Sequence, residues 1–235
     1  MIDFYYWPTP NGWKVGIMLE ECGLEYNTVA VNIGRGDQFK PDFLRISPNN
    51  RMPAIVDNET GISIFESGAI LSYLADKTGL FIPADERGRS NVMQWLFWQV
   101  GNLGPAAGQL SHFVNYAQDP NPYSLDRFRC EYDRLLGVMD RQLAETEFLA
   151  GAYSIADMAS YPWILPYKRY EVDLDKFAHL RRWFDLLKVR PAVRRAVDLG
   201  KEWRKPGPID EQARKVMFGQ TAASTAAAAM VQDKK

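Results

Sequence analysis

Cysteine and histidine are scarce: the chain has two of each in 235 residues. Cys22 and Cys130 lie far apart, with no CxxC and no spacing suited to zinc. A disulfide framework and a metal centre are therefore not expected, and both thiols are expected to be ordinary reduced, buried side chains. Excess charge is also missing. The 28 Lys+Arg and 29 Asp+Glu leave a formal net charge of −1, so no basic field gathers nucleic acid or anionic lipid. No run approaches the roughly 18 uncharged apolar residues of a membrane span. The first residues, Met1-Ile2-Asp3-Phe4-Tyr5-Tyr6, lack the basic and apolar stretches of a secretion signal. The expectation is a cytoplasmic protein with no nucleic-acid or membrane partner. What is present, 46% hydrophobic and 24% charged residues, is the composition of a globular protein with a sizeable core.

At this length either one large domain or two smaller ones are allowed, and internal punctuation decides. Residues 2–7 read as a buried strand that Pro8-Thr9-Pro10-Asn11-Gly12 ends, because proline supplies no ladder donor. From Trp13, the positions Val15, Ile17, Met18, Leu19 and Cys22 form a broad helical stripe, which Gly23 stops. Residues 28–33 (TVAVNI) read as a second strand, completing a βαβ unit. After a polar loop over 34–48, residues 52–57 and 62–65 predict a hairpin, and a helix runs from Glu66 to Gly79.

Residues 83–87 (PADER) look like a linker, and every periodic stretch beyond it is helical. A helix over 91–117 should kink at Gly104-Pro105. Another is expected over 123–143, and Ser154-Ile155-Ala156-Asp157 has the spacing of a capping box that opens a third. Residues 180–187 and 192–199 complete the helical part, 204–208 (RKPGP) break any helix, and 221–229 are small and nearly featureless. The expected organisation is an α/β domain over 1–82, an all-helical domain over 88–203 and an extension over 204–235.

Polar residues gather where strands of the first domain give way to helices. Met52-Pro53 leads into a strand, where a cis bond would expose the Met52 backbone to an extended peptide, though few X-Pro bonds are cis. Glu66-Ser67 opens a helix and is either a seat for a carboxylate or a plain N-cap. Thr9 and Asn11 place a hydroxyl and an amide at another helix start, either to donate to an anion such as a thiolate or simply to cap.

Taken together, the βαβ–ββα order, the Met52-Pro53 and Phe65-Glu66-Ser67 junctions and the helical part containing Ser154-Ile155-Ala156-Asp157 resemble the cytosolic glutathione transferases. Thr9-Pro10-Asn11-Gly12, Gly36-Asp37-Gln38-Phe39, Ile46-Ser47-Pro48-Asn49-Asn50 and Gln94-Trp95-Leu96-Phe97-Trp98-Gln99-Val100 are similar to the bacterial Nu class. The resemblance spans residues 1 to about 200. It implies a thioredoxin-like domain followed by a helical one, glutathione as co-substrate without a metal, a homodimer, and reduction of small disulfides, with organic hydroperoxides as a further substrate.

By the same resemblance Glu66 faces the γ-glutamyl amine and Ser67 its carboxylate. The Met52 backbone, ahead of a cis-Pro53, pairs with the cysteinyl peptide group. Gln38 reaches the glycyl end, helped by Lys40, and Arg127 reaches the site from the neighbouring subunit. Thr9 and Asn11 hydrogen-bond the sulfur in place of a catalytic Tyr, Ser or Cys. A free thiol titrates near about 8.5, so donors and a helix N-terminus would favour its thiolate. Tyr5 and Tyr6 are expected in the core or on the sheet, Trp95, Phe97 and Trp98 in packing, and His112 and His179 at the surface. Two alternatives stand beside the reductase: a transferase joining glutathione to carbon electrophiles through Tyr6, and a non-catalytic interaction module with the same fold.

Overall fold

The computed structural model describes residues 1–203, 207 and 209–223. Strand β1 (Ile2–Tyr6) buries Ile2, Phe4 and Tyr6 on one face and turns Tyr5 to the other, against Phe43. Helix α1 (Pro10–Cys22) follows, with proline at its first position, where the missing N–H costs no bond, and Gly23 at φ 61° as its left-handed stop. Strand β2 is Tyr26–Ala30 and runs parallel to β1, from Ile2↔Tyr26 to Tyr6↔Ala30. It therefore lies earlier than the expected 28–33. Its partner ends at Tyr6, and Asn32 instead opens a turn whose N–H groups are held by the Asp37 carboxylate and the Asn32 side chain.

The expected loop over 34–48 contains α2 (Pro41–Ile46), whose Phe43 packs in a small second cluster with Val31, Met52 and Ala54. Strands β3 (Ala54–Asp57) and β4 (Ile62–Phe65) pair antiparallel, giving a sheet of order β2-β1-β3-β4. Helix α3 (Ser67–Thr78) completes a thioredoxin-like half.

Helix α4 (Glu86–Trp98) starts inside the expected linker because the Asp85 carboxylate caps it at the Gly88 N–H. The break expected at Gly104-Pro105 begins earlier. Residues Gln99–Leu103 form a π turn in which the Gly104 N–H reaches back to the Gln99 carbonyl, and α5 (Gly104–Asn115) continues from there. Proline in the first turn of α5 lacks a donor for the preceding turn, and the wider turn absorbs that loss. Helix α6 (Pro122–Glu145) is long and amphipathic, whereas every residue of α7 (Ile155–Ile164) is buried. Helices α8 (Ala178–Lys188), α9 (Pro191–Asp198) and α10 (Glu211–Phe218) follow. The helix break over 204–208 and the small-residue stretch over 221–229 fall largely outside the described residues.

Helix α1 joins the two halves: it packs on α3 from its own half and on α7 and α9 from the helical half. One continuous apolar core therefore runs from Ile2 to Ala196. The start of α1 lies beside the chain that leads into β3 and behind the start of α3. Helix α10 straddles both halves. Arg214 donates to the Tyr116 carbonyl, Gln220 accepts from Arg51, and Ala213 and Val216 lie against Gly34 and Gly36.

Candidate active site

After β1 the chain turns at Trp7–Thr9, where the Thr9 N–H reaches the Trp7 carbonyl at 2.8 Å, and enters α1. A Cβ on Gly12 would fall 2.5 Å from the Trp7 carbonyl oxygen, so only glycine lets the helix begin this close to the strand. The Thr9 hydroxyl accepts a long N-cap bond from the Gly12 N–H (3.4 Å) and lies 3.5 Å from the Met52 sulfur, to which it donates. Asn11 accepts the Trp163 indole N–H on Oδ1 at 3.3 Å. An indole N–H can only donate, so the amide oxygen is engaged and its NH2 is the group left for a ligand. Tyr6 is fully buried and donates its hydroxyl to the Leu199 carbonyl at 3.0 Å. Its ring packs on Gly12 at the start of α1, but its hydroxyl is engaged by a backbone carbonyl.

The Met52–Pro53 peptide bond is cis. Among the described residues no other backbone group bonds to the Met52 N–H or C=O, and the Ser47 hydroxyl holds the preceding Arg51 carbonyl at 2.8 Å. Gln38 is 2% exposed, its Nε2 donates to the Ile33 carbonyl at 3.2 Å, and its Oε1 has no partner among the described residues. Lys40 is paired with Asp37 at 2.6 Å.

The start of α3 is unusual in its backbone and its surroundings. Glu66 takes φ 69°, ψ 116°, a conformation that disfavours any residue but glycine. Among the described residues no side chain caps the helix, which is at odds with the plain N-cap reading of Glu66-Ser67 and leaves the N–H groups of the first turn without a side-chain acceptor there. Ser67 is buried, and its Oγ accepts from the Lys14 ammonium at 3.2 Å. Lys14 is 2% exposed and donates also to Gln99 Oε1 at 2.7 Å. Burial pushes this ammonium down to about 7, opposed by the Glu66 charge. Asn49 donates to Glu66 at 3.5 Å.

Thr9 thus meets Met52 at the start of α1, where Asn11 also stands, and Ser67 is tied to the same α1 through Lys14. Arg127 stands apart from this group, exposed on α6 and 3.9 Å from Glu131. The cysteines depart from expectation, since Cys130 is exposed and Cys22 half-buried. A helical segment packed by one face leaves the other to solvent whatever residue stands there. Cys22 ends the 13-residue α1 that Thr9 caps, about 20 Å away at the helical rise. Phe97 is 65% exposed, not packed. His112 lies under α10, its ring 4.8 Å from Phe218, beside a cleft of about 520 Å³.

Lys14, Gln99 and Trp163 escaped the sequence reading. A lysine between Trp13 and Val15, one turn before Met18 in the buried stripe, was the available signal for the first. Among the described residues no cluster of three or more His, Cys, Asp or Glu is placed to hold a metal, and no helix is long and apolar enough to cross a membrane.

A thioredoxin-like half joined through α1 to a helical half is the architecture of the glutathione transferases, and this chain belongs to that family. Residues 1–76 match the N-terminal domain of glutathione S-transferase. The disulfide-bond oxidoreductase YfcG of Escherichia coli (strain K12) is 46% identical over 203 residues, covering 84% of this chain and 94% of the relative. The disulfide-bond oxidoreductase YghU of the same strain is 41% identical, covering 90% and 78%. A Pseudomonas putida glutathione transferase solved with one glutathione disulfide per subunit superposes with a TM-score of 0.81 at 40% identity, over 88% of this chain and 92% of that one.

Proposed function

We propose that the protein is a glutathione-dependent disulfide-bond oxidoreductase acting on small disulfides. The observation that carries the mechanism is the set of donors at the start of α1. Thr9 and the NH2 of Asn11 lie there, while the Tyr6 hydroxyl is engaged by the Leu199 carbonyl, Cys22 stands at the opposite end of α1 and Cys130 on α6. These two donors hold the sulfur of one glutathione as thiolate. That thiolate attacks one sulfur of the substrate disulfide, a mixed disulfide forms, and the first substrate thiol leaves with a proton. A second glutathione thiolate attacks the glutathione sulfur of the mixed disulfide, releasing the second substrate thiol and glutathione disulfide. Two glutathione thiols are oxidised and one disulfide reduced, so the electrons balance without a protein cysteine. An organic hydroperoxide accepts the same two electrons and yields an alcohol and water.

The unit over 1–82 holds glutathione, the one over 88–203 supports it, and 204–235 extends it. Glu66 faces the γ-glutamyl amine, Ser67 its carboxylate, and the unpaired backbone of Met52 before Pro53 the cysteinyl peptide group. The free acceptor on Gln38 suits the glycyl N–H, while the glycyl carboxylate needs a donor, which falls to Lys40 once Asp37 yields it. Arg127 acts from the second subunit of a homodimer. The exposed Phe97 beside Trp98 and Met93, lining a groove of about 650 Å³ on α4, is the apolar surface such a dimer would cover. The balanced charge and the reduced thiols fit a cytoplasmic location.

Turnover of bis(2-hydroxyethyl) disulfide with glutathione tests the reading, against the Cys22→Ala/Cys130→Ala variant and with chlorodinitrobenzene conjugation as a control. Reduction that survives loss of both cysteines, beside poor conjugation, is expected. Loss of reduction in that variant, or dominant conjugation, overturns the mechanism, and failure to bind a glutathione resin restores the non-catalytic module.

A further inference from the structure

An ammonium group buried without a carboxylate is costly, and folded chains rarely keep one. Lys14 is such a group. It donates to two neutral oxygens, Ser67 Oγ and Gln99 Oε1; among the described residues no carboxylate is in contact with it, and the Glu66 charge acts on it only from beyond ion-pair distance. Gln99 is itself fully buried, with its Nε2 unpaired. It comes from the π turn between α4 and α5, while Lys14 comes from α1 and Ser67 from α3. Three elements thus converge on a charge that no carboxylate among the described residues touches.

The direction of the bonds fixes what the cluster offers. Lysine has donors only, so Ser67 must accept from it, and the serine hydrogen is left to point to another acceptor. That hydrogen stands beside the N–H groups of the uncapped first turn of α3. We propose that Lys14 is a positioning residue for the α-carboxylate of the γ-glutamyl group: acting through Ser67, it supplies the counter-charge and orients the serine hydroxyl as a donor. Gln99 holds the ammonium in place. The substrate class that follows is a γ-glutamyl peptide with a free α-carboxylate. The proposal deepens the glutathione reading and rests on it. Burial draws the Lys14 ammonium down to about 7 in the ligand-free chain, and an anion seated on Ser67 favours its charged form again.

Three probes test it by calorimetric titration: glutathione, 4-aminobutyryl-cysteinyl-glycine, which lacks the α-carboxylate, and glutaryl-cysteinyl-glycine, which lacks the amine. Lys14→Met is expected to weaken glutathione and the glutaryl peptide at least tenfold and the aminobutyryl peptide less than twofold. Lys14→Gln, which keeps a polar head but no charge, gives the same pattern and serves if Lys14→Met does not fold. A structural role in holding α3 would weaken all three probes alike, and that result overturns the proposal, as does a glutathione affinity within twofold of the unmodified chain. If the unmodified chain binds no glutathione, the glutathione reading falls first and carries this one with it.

Discussion

Ser67 and Ser154 each stand buried at the start of a helix, and the protein treats the two starts in opposite ways. At α7 every group is answered. Ser154 caps the helix, and Asp157 accepts from the Leu149 N–H, the Ser154 N–H, the Ser154 hydroxyl and the Trp183 indole, all within 3.2 Å. Burial pushes the Asp157 carboxyl up to about 6 in spite of these bonds. At α3 no side chain among the described residues caps the first turn, its leading residue is strained, and the ion beneath it is a cation with no carboxylate in direct contact. A closed helix start stabilises the fold; an open one leaves donors and charge for a ligand. On the proposed function, the difference separates a serine that holds the chain together from one that would hold a substrate.

Asp157→Ala should do the most damage to the closed start. Leaving four buried donors unanswered should cost about 3–5 kcal/mol of stability, read as a large fall in melting temperature, while any folded protein still binds glutathione normally. Ser67→Ala is the converse: glutathione affinity should fall by about 1.5–3 kcal/mol, the worth of a hydrogen bond to a charged group, with a smaller fall in melting temperature than Asp157→Ala gives, because Lys14 keeps its bond to Gln99.

The other end of α3 sharpens the contrast, because it is closed like α7. Lys77 and Tyr73 grip the buried Asp57 carboxylate at 3.0 and 2.6 Å. Burial would raise the Asp57 pKa, but the bonds from Tyr73, Lys77 and the Glu59 N–H outweigh it and lower it to about 2. Because the folded value lies below the unfolded one, the stability it brings is present above about pH 4 and is lost as pH falls toward about 2. A loss of about 2 kcal/mol is expected across that window, seen as an acid-melting arm that Asp57→Asn flattens.

Glu66→Gly should relieve the positive φ and raise stability by about 1 kcal/mol while weakening glutathione, so that stability and binding move apart at one residue. Smallest of all, Tyr6→Phe should leave disulfide turnover within about twofold and cost about 1 kcal/mol for the lost bond to Leu199. A collapse of turnover there would return the chemistry to a phenol.

The closed start was readable in the sequence and the open one only in part, for a physical reason. Ser154 and Asp157 satisfy each other three positions apart, so spacing reveals them. Thr9, Asn11, Met52, Glu66 and Ser67 were recognisable as residues at strand-to-helix junctions and through family motifs. Their partners were not: Lys14 meets Ser67 across 53 positions, and Trp163 meets Asn11 across 152. Helical periodicity marks Lys14 only as an oddity in a buried stripe, and α7 is buried on every side, so no pattern singles out Trp163. In the same way α2 was hidden in a polar stretch because six residues show too little period.

The placement of the two thiols, one exposed on α6 and one at the far end of α1, has a consequence for how the protein ages in use. If both reacting sulfurs arrive and depart with glutathione, the polypeptide begins and ends every cycle in the same covalent state. It requires no resolving cysteine and no dedicated reductase to reset it. A burst of peroxide that caps Cys130 would then modify the surface without arresting turnover.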